Sequence, residues 1–154
     1  MILPGGESST LLKLLKQNHL YDAIAEKLKA GMPFFGTCAG AILLAKHVKS
    51  PEQISFGAVD ICVERNAYGR QLASHITHGH TILKDTPMEM FFIRAPRFRK
   101  ISSNVTVIAD YDGEAVCVQQ DNCLLAAFHP ELTQDTTLHQ HFLALVAGWR
   151  YTSS

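Results

Sequence analysis

The sequence has no surplus of charge of either sign: Lys+Arg and Asp+Glu are both 14, for a formal net charge of zero. A protein that reaches nucleic acid or an anionic membrane through bulk electrostatics needs a basic surplus, so neither partner is expected. No apolar stretch approaches the ~20 residues of a membrane-crossing helix. The opening Met1-Ile2-Leu3-Pro4-Gly5 lacks the charged and long apolar regions of a secretory leader. Cysteine is scarce, and Cys38, Cys62, Cys117 and Cys123 form no Cys-x-x-Cys pair. That excludes a disulfide scaffold and fits a reducing compartment, so a cytoplasmic location is expected. Cys117 and Cys123 flank four polar residues and could face each other across a hairpin; two ordinary strand cysteines is the simpler account. Low-complexity tracts and internal repeats are absent as well. With 47% hydrophobic residues over 154 positions, the chain reads as a single domain spanning 1–154, large enough for a proper core.

What is present centres on Gly36-Thr37-Cys38-Ala39-Gly40. The apolar run Met32-Pro33-Phe34-Phe35 ahead of it reads as a buried strand, and Ala41-Ile42-Leu43-Leu44-Ala45-Lys46 behind it as a helix. Strand, Gly-x-Cys-x-Gly, helix is the nucleophile-elbow pattern with sulfur in place of oxygen. A side chain pushed out at the tip of so sharp a turn needs neighbours without Cβ atoms. The first helical turn behind it also offers free N–H groups that favour a thiolate. A buried, inert cysteine in a Gly-rich turn would look the same, and this segment alone does not decide.

Ahead of the elbow, Ile2-Leu3-Pro4-Gly5-Gly6 reads as the end of a strand entering a Gly-rich turn. Glu7-Ser8-Ser9-Thr10 then offers N-cap hydroxyls and an early acid to one helix carrying Leu11, Leu12, Leu15, Leu20, Ile24 and Leu28, with Gly31 at its end. Beyond the elbow, strands are expected at 57–63, 90–93, 105–110, 115–118 and 124–128, with a last helix from about 134 to 149. The hairpin between the third and fourth of these turns at Tyr111-Asp112-Gly113. In a strand, His78 and His80 share one face and His75 takes the other. No carboxylate or thiolate stands beside them at ligand spacing, so no metal site is expected. The run Arg94 to Lys100 reads as a solvated edge, except that Arg94 stands at a strand end where a guanidinium can hold a carboxylate. His139 and His141 read as surface residues.

His129-Pro130-Glu131 is the second chemical feature. An imidazole at a strand end can carry protons at neutral pH, and a carboxylate two residues on can orient its other nitrogen. With the cysteine elbow earlier in the chain, the pair completes a nucleophile, base and orienter.

Here a resemblance takes over. Leu3-Pro4-Gly5-Gly6-Glu7-Ser8, the Cys38 elbow, Asn66-Ala67-Tyr68-Gly69-Arg70-Gln71, Phe92-Ile93-Arg94-Ala95-Pro96 and Phe128-His129-Pro130-Glu131-Leu132-Thr133 occur in the same order in one family. The chain resembles the glutaminase subunit of pyridoxal 5′-phosphate synthase, a class I (triad) glutamine amidotransferase, from residue 1 to about residue 149. The elbow and the His-x-Glu are common to class I glutaminases; the other segments point to this branch. The resemblance implies an α/β fold, an open, mixed and mostly parallel sheet flanked by helices, flavodoxin-like. It implies hydrolysis of L-glutamine to glutamate and ammonia, with no cofactor, and delivery of ammonia to a synthase subunit for vitamin B6 synthesis. Cys38 would be the nucleophile, His129 the general base and acid, and Glu131 its orienter. The N–H groups of Gly6 and Ala39 would form the oxyanion hole. Gly6, Glu7, Ser8, Arg65, Ile93 and Arg94 would hold glutamine, the two arginines suiting its α-carboxylate.

Three features depart from the family. Ser9 replaces one hydroxyl residue by another, and the three-histidine segment is left without a role. Family members also carry about forty residues ahead of this point, including the central first strand of the sheet. The chain is therefore expected to be N-terminally truncated, with Met1 an internal methionine and Ile2, Leu3 and the elbow strand left with unpaired edges. The alternative readings are another class I glutaminase or cysteine hydrolase, against which Ile93-Arg94-Ala95-Pro96 argues, and an inactive fragment that keeps only partner binding.

Overall fold

The computed structural model describes residues 1–66 and 74–152. The Asn66-to-Gln71 segment of the resemblance thus lies outside the described residues from position 67 on. Two adjacent apolar runs form the centre of the fold. Phe34–Thr37 (β2) and Cys123–Ala126 (β10) are buried at every residue and pair in parallel, Leu125 with Gly36 and Ala126 with Thr37. Continuous rather than alternating burial is what a strand covered on both faces requires. Ile2–Leu3 (β1) lies parallel on the other side of β2, Leu3 opposite Gly36. All three strands therefore leave the sheet at the same edge, and the turns that follow Leu3, Thr37 and Ala126 gather there.

The rest of the large sheet is antiparallel. Its order is β1, β2, β10, then Glu114–Gln120 (β9), Thr106–Tyr111 (β8), His75–Thr81 (β5) and Met88–Phe92 (β6). The expected mixed α/β sheet flanked by helices is present, but its parallel pairs are confined to one end: β1–β2 and β2–β10 are parallel and the four remaining pairs antiparallel. A second, three-stranded sheet joins Ala45–Lys49 (β3), Val59–Glu64 (β4) and Arg97–Arg99 (β7). Among the described residues, four α-helices, Ser8–Gln17 (α1), Tyr21–Lys29 (α2), Ala39–Leu44 (α3) and Thr137–Thr152 (α4), accompany the sheets. The core runs through both sheets, from Leu15 and Ile24 through Phe34, Phe35 and Leu124 to Met90, Val63 and Leu138.

Several expectations are corrected. The single leucine-rich helix is two, broken at Asn18–Leu20, where His19 adopts φ 57° and Leu20 N donates to Leu15 O. The helix behind the elbow ends at Leu44. Ala45–Lys49 pairs in parallel with β4, and a long-range ladder overrides the helix-forming composition. The basic run after Arg94 is not merely a solvated edge: Phe98 within it is buried, and Arg99 reaches Glu64 and Glu114. His139 and His141 are half-buried rather than surface residues, His139 edge-on to Phe35 and His141 bonded to Gln119. The elbow strand is paired on both sides, not left with an open edge. The three histidines of β5 take different partners: His75 stacks on Phe92, His78 lies opposite Glu89, and His80 pairs with Asp110 at 2.8 Å.

Candidate active site

Cys38 stands between β2 and α3 with φ 49° and ψ −105°, a conformation that L residues adopt only under constraint. Such a residue stores roughly 1–3 kcal/mol of backbone strain, held by its surroundings. The constraint is visible. Cys38 N donates to Ala126 O at 2.9 Å, and its carbonyl accepts from Ile42 N at 3.1 Å. The flanking glycines pack backbone on backbone. A Cβ on Gly36 would lie 2.7 Å from the Gly40 carbonyl carbon, and one on Gly40 would lie 1.9 Å from Leu3 O. No side chain fits at either place, as the elbow pattern requires.

The sulfur differs from the sequence expectation. Burial pushes the Cys38 thiol up to about 11; the Ala39 N–H directed at it lowers the value only partly, and the nearby Glu131 charge raises it further. Cys38 therefore rests as a thiol, and nucleophilic attack by such a sulfur would need a proton acceptor beside it.

His129 is that acceptor's natural candidate. It follows β10, and its backbone N donates to Phe91 O at 2.8 Å, which ties it to β6. Its Nδ1 lies 2.6 Å from Glu131 Oε1, with the carboxylate held in the short 3₁₀ turn Pro130–Leu132. That contact leaves Nε2 for chemistry. The ring lies against Gly5: a Cβ there would come within 2.3 Å of His129 Cε1. Sequence reading gave Gly5 no such role, because only the packing of one strand-end turn on another reveals it.

One pocket of about 430 Å³ collects the turns at this edge, lined by Gly6, Glu7, Ser8, Cys38, Ile42, Arg65, Asn66, Ile93, Arg94 and His129. Every expected substrate contact is thus brought to one place with the cysteine and the histidine. Glu131 stands behind His129 rather than in the lining, and Ala39 enters through its N–H toward the sulfur. Gly6 has φ 132° and open space where a Cβ would sit, so its turn is shaped for glycine. Ile42 and Asn66 were not anticipated. Ile42 is one helical turn beyond Cys38, a spacing that places it on the Cys38 side of α3.

The polar groups divide into engaged and open ones. Glu7 is the N-cap of α1, its carboxylate accepting from Ser9 and Thr10 through both N–H and hydroxyl groups. These side-chain and backbone bonds hold it down at about 2. Arg65 Nη2 reaches the same carboxylate at 3.3 Å. Among the described residues, Arg94 makes no ion pair; it stands just past β6, exposed, with φ 43°. His75, Phe92 and Phe128 form an aromatic run, Phe92 and Phe128 with centroids 5.6 Å apart. Among the described residues no group of three His, Cys, Asp or Glu side chains is arranged to hold a metal. No helix there is long and apolar enough to cross a membrane.

The chain is similar to known proteins along most of its length. Residues 1–147 match the model of the SNO glutamine amidotransferase family. A protein named pyridoxal 5′-phosphate synthase subunit PdxT from Desulforamulus reducens is 50% identical over 148 residues, 95% of this chain and 78% of that protein. The relative of the same name from Solibacter usitatus is 51% identical over 150 residues, 94% and 78% of the two chains. A crystal structure described as a glutamine amidotransferase superposes with TM-score 0.87 at 42% identity, over 95% of this chain and 78% of that one. This chain belongs to the SNO glutamine amidotransferase family.

Proposed function

We propose that the chain is one glutaminase domain that hydrolyses L-glutamine to L-glutamate and ammonia and passes the ammonia to a synthase subunit making pyridoxal 5′-phosphate in the cytoplasm. The observation that carries this reading is the convergence of Cys38 and the Glu131-bonded His129 on one pocket, in a chain about half identical to proteins named as that subunit. Glutamine enters with its α-carboxylate on Arg94, the open guanidinium of the pocket, and Arg65 beside it held by Glu7. Gly6, Glu7 and Ser8 line the polar side, and Ile93 and Ile42 cover the methylenes.

His129 Nε2 takes the Cys38 proton as sulfur attacks the carboxamide carbon, and the oxyanion rests on the N–H groups of Gly6 and Ala39. Collapse breaks the C–N bond, and the same proton leaves with nitrogen as ammonia. Water then attacks the thioester, giving its proton to His129, which returns it to sulfur as the C–S bond breaks. Glutamate departs and the thiol is restored. Glu131 keeps Nδ1 bonded throughout and stabilises the imidazolium.

The test is ammonia release from glutamine by this chain, alone and with a synthase subunit, with Cys38→Ala as control. Release that the partner stimulates and the substitution abolishes is expected. Release that survives in Cys38→Ala would remove the sulfur from the mechanism, and none under either condition would refute the glutaminase reading.

A further inference from the structure

Ser8 is buried, lines the pocket and stands at the start of α1. Its Oγ donates at 3.2 Å to Oε1 of Gln53, a residue 45 positions away. Gln53 lies in the connection between β3 and β4 and is absent from the pocket lining. Its Nε2 is buried and has no partner among the described residues. A half-satisfied buried amide is unfavourable as packing alone, since an apolar side chain of the same length would leave no donor unpaired. What the amide does provide is an acceptor for one hydroxyl.

A serine hydroxyl carries one proton and two lone pairs. With the proton committed to Gln53, only lone pairs are left to face the pocket. Ser8 is then an acceptor there, matched to an N–H donor and mismatched to a bare carboxylate oxygen. Glutamine brings two such donors, its ammonium and its carboxamide nitrogen. Resting on the glutaminase reading, we infer that Gln53 is a positioning residue that fixes Ser8 as a hydrogen-bond acceptor for a nitrogen of the substrate. It thereby favours ligands that present nitrogen at that point.

The experiment measures KM and kcat for glutamine in the complex with the synthase subunit, for the unsubstituted chain, Gln53→Met and Gln53→Glu. Methionine keeps the shape and removes the acceptor; glutamate keeps an acceptor oxygen and removes the unpaired donor. Gln53→Met is expected to raise KM about five- to tenfold, the worth of one neutral hydrogen bond, with kcat within about twofold. Gln53→Glu is expected to stay within about twofold of the unsubstituted KM. A purely structural role would move both variants together and lower kcat with the melting temperature. An unchanged KM in Gln53→Met, or equal impairment of both variants, would overturn the inference. An unsubstituted complex that releases no ammonia would instead refute the glutaminase reading, and this inference with it.

Discussion

At Gly5 a single methyl group is too much. Its carbon would fall 2.3 Å from His129 Cε1, so either the imidazole or the turn has to move. In the proposed mechanism His129 is the base, and displacing it by an ångström would cost about a hundredfold in rate. Gly5→Ala is therefore expected to lower kcat by roughly that factor while leaving the fold intact, checked by ammonia release beside a thermal melt. Wild-type kcat would show that the ring is not seated against Gly5. The sulfur yields a second prediction. With its thiol pushed up to about 11, Cys38 is almost wholly protonated at neutral pH in the unliganded chain. Its alkylation by iodoacetamide, followed by mass spectrometry, should rise about tenfold per pH unit between about 7 and 9.5. The Glu131 charge helps raise the thiol, so Glu131→Gln should quicken alkylation at a given pH. A rate flat across that range would mean a thiolate already formed. At this scale the sequence was legible in placement: Cys38 and His129 line one pocket, and Glu131 bonds the imidazole. It misled where a residue's partner decides. Glu7-Ser8-Ser9-Thr10 suggested capping by hydroxyls, and instead the hydroxyls of Ser9 and Thr10 serve the Glu7 carboxylate.

At the scale of elements, the site depends on turns docking against one another. Gly40 opens α3 directly on the Leu3 carbonyl, with 1.9 Å left for a Cβ against backbone, which cannot give as a flexible side chain can. Gly40→Ala must separate α3 from β1, and a loss of more than about 3 kcal/mol in urea unfolding is expected. A stability within about 1 kcal/mol of the unsubstituted chain would contradict that packing. The segment after His129 is held by Asp135. Burial would raise its pKa, but the Lys84 ammonium at 2.7 Å, the Thr137 hydroxyl and N–H, and the Glu89 N–H hold it well below the usual carboxylate range. This ties the start of α4 to the strand-end turn before β6. Asp135→Ala should cost about 2 kcal/mol at pH 7. Because the folded pKa is depressed, the stabilisation is full above the unfolded value near 4 and fades as pH falls toward the folded one. The gap between the two chains in chemical unfolding should thus be constant from about pH 5 to 7 and narrow below about pH 4. A gap that widened on acidification would reverse the sign and exclude this role. Such ties join residues 46 to 51 positions apart, and no local pattern announces them. The fate of Ala45–Lys49 is hidden as well, because its composition favours helix and only its ladder to β4 makes it a strand. The broken leucine helix is hidden differently, because leucine periodicity runs past His19 without a glycine or proline to mark the bend.

For the whole molecule, the question is whether two sheets of different pairing behave as one body. The large sheet is parallel around β2 and antiparallel beyond β10, and the smaller sheet of β3, β4 and β7 stands apart in hydrogen bonding. Side chains bridge the two. Asp60 N on β4 donates to Gln120 Oε1 on β9 at 2.7 Å, and Arg99 on β7 pairs with Glu114 on β9. The apolar core makes the same connection, with Val59, Ile61 and Val63 of β4 in one cluster with Leu124, Leu125 and Met90 of the large sheet. The family resemblance named residues that meet at the pocket, and the parallel strands β1, β2 and β10 bring the turns carrying Gly6, Cys38 and His129 to one edge. It could not predict this bridging, which depends on which face each strand turns inward. A shared core implies a shared transition. Ile61→Ala in the small sheet and Leu124→Ala in the large one each empty a fully buried site, and each should lower stability by about 2–5 kcal/mol. Both variants should still unfold in a single step, with calorimetric and van't Hoff enthalpies equal, because neither sheet buries its apolar face without the other. A biphasic melt in Ile61→Ala, with the large sheet unfolding at its original temperature, would show two independent units and refute the single core.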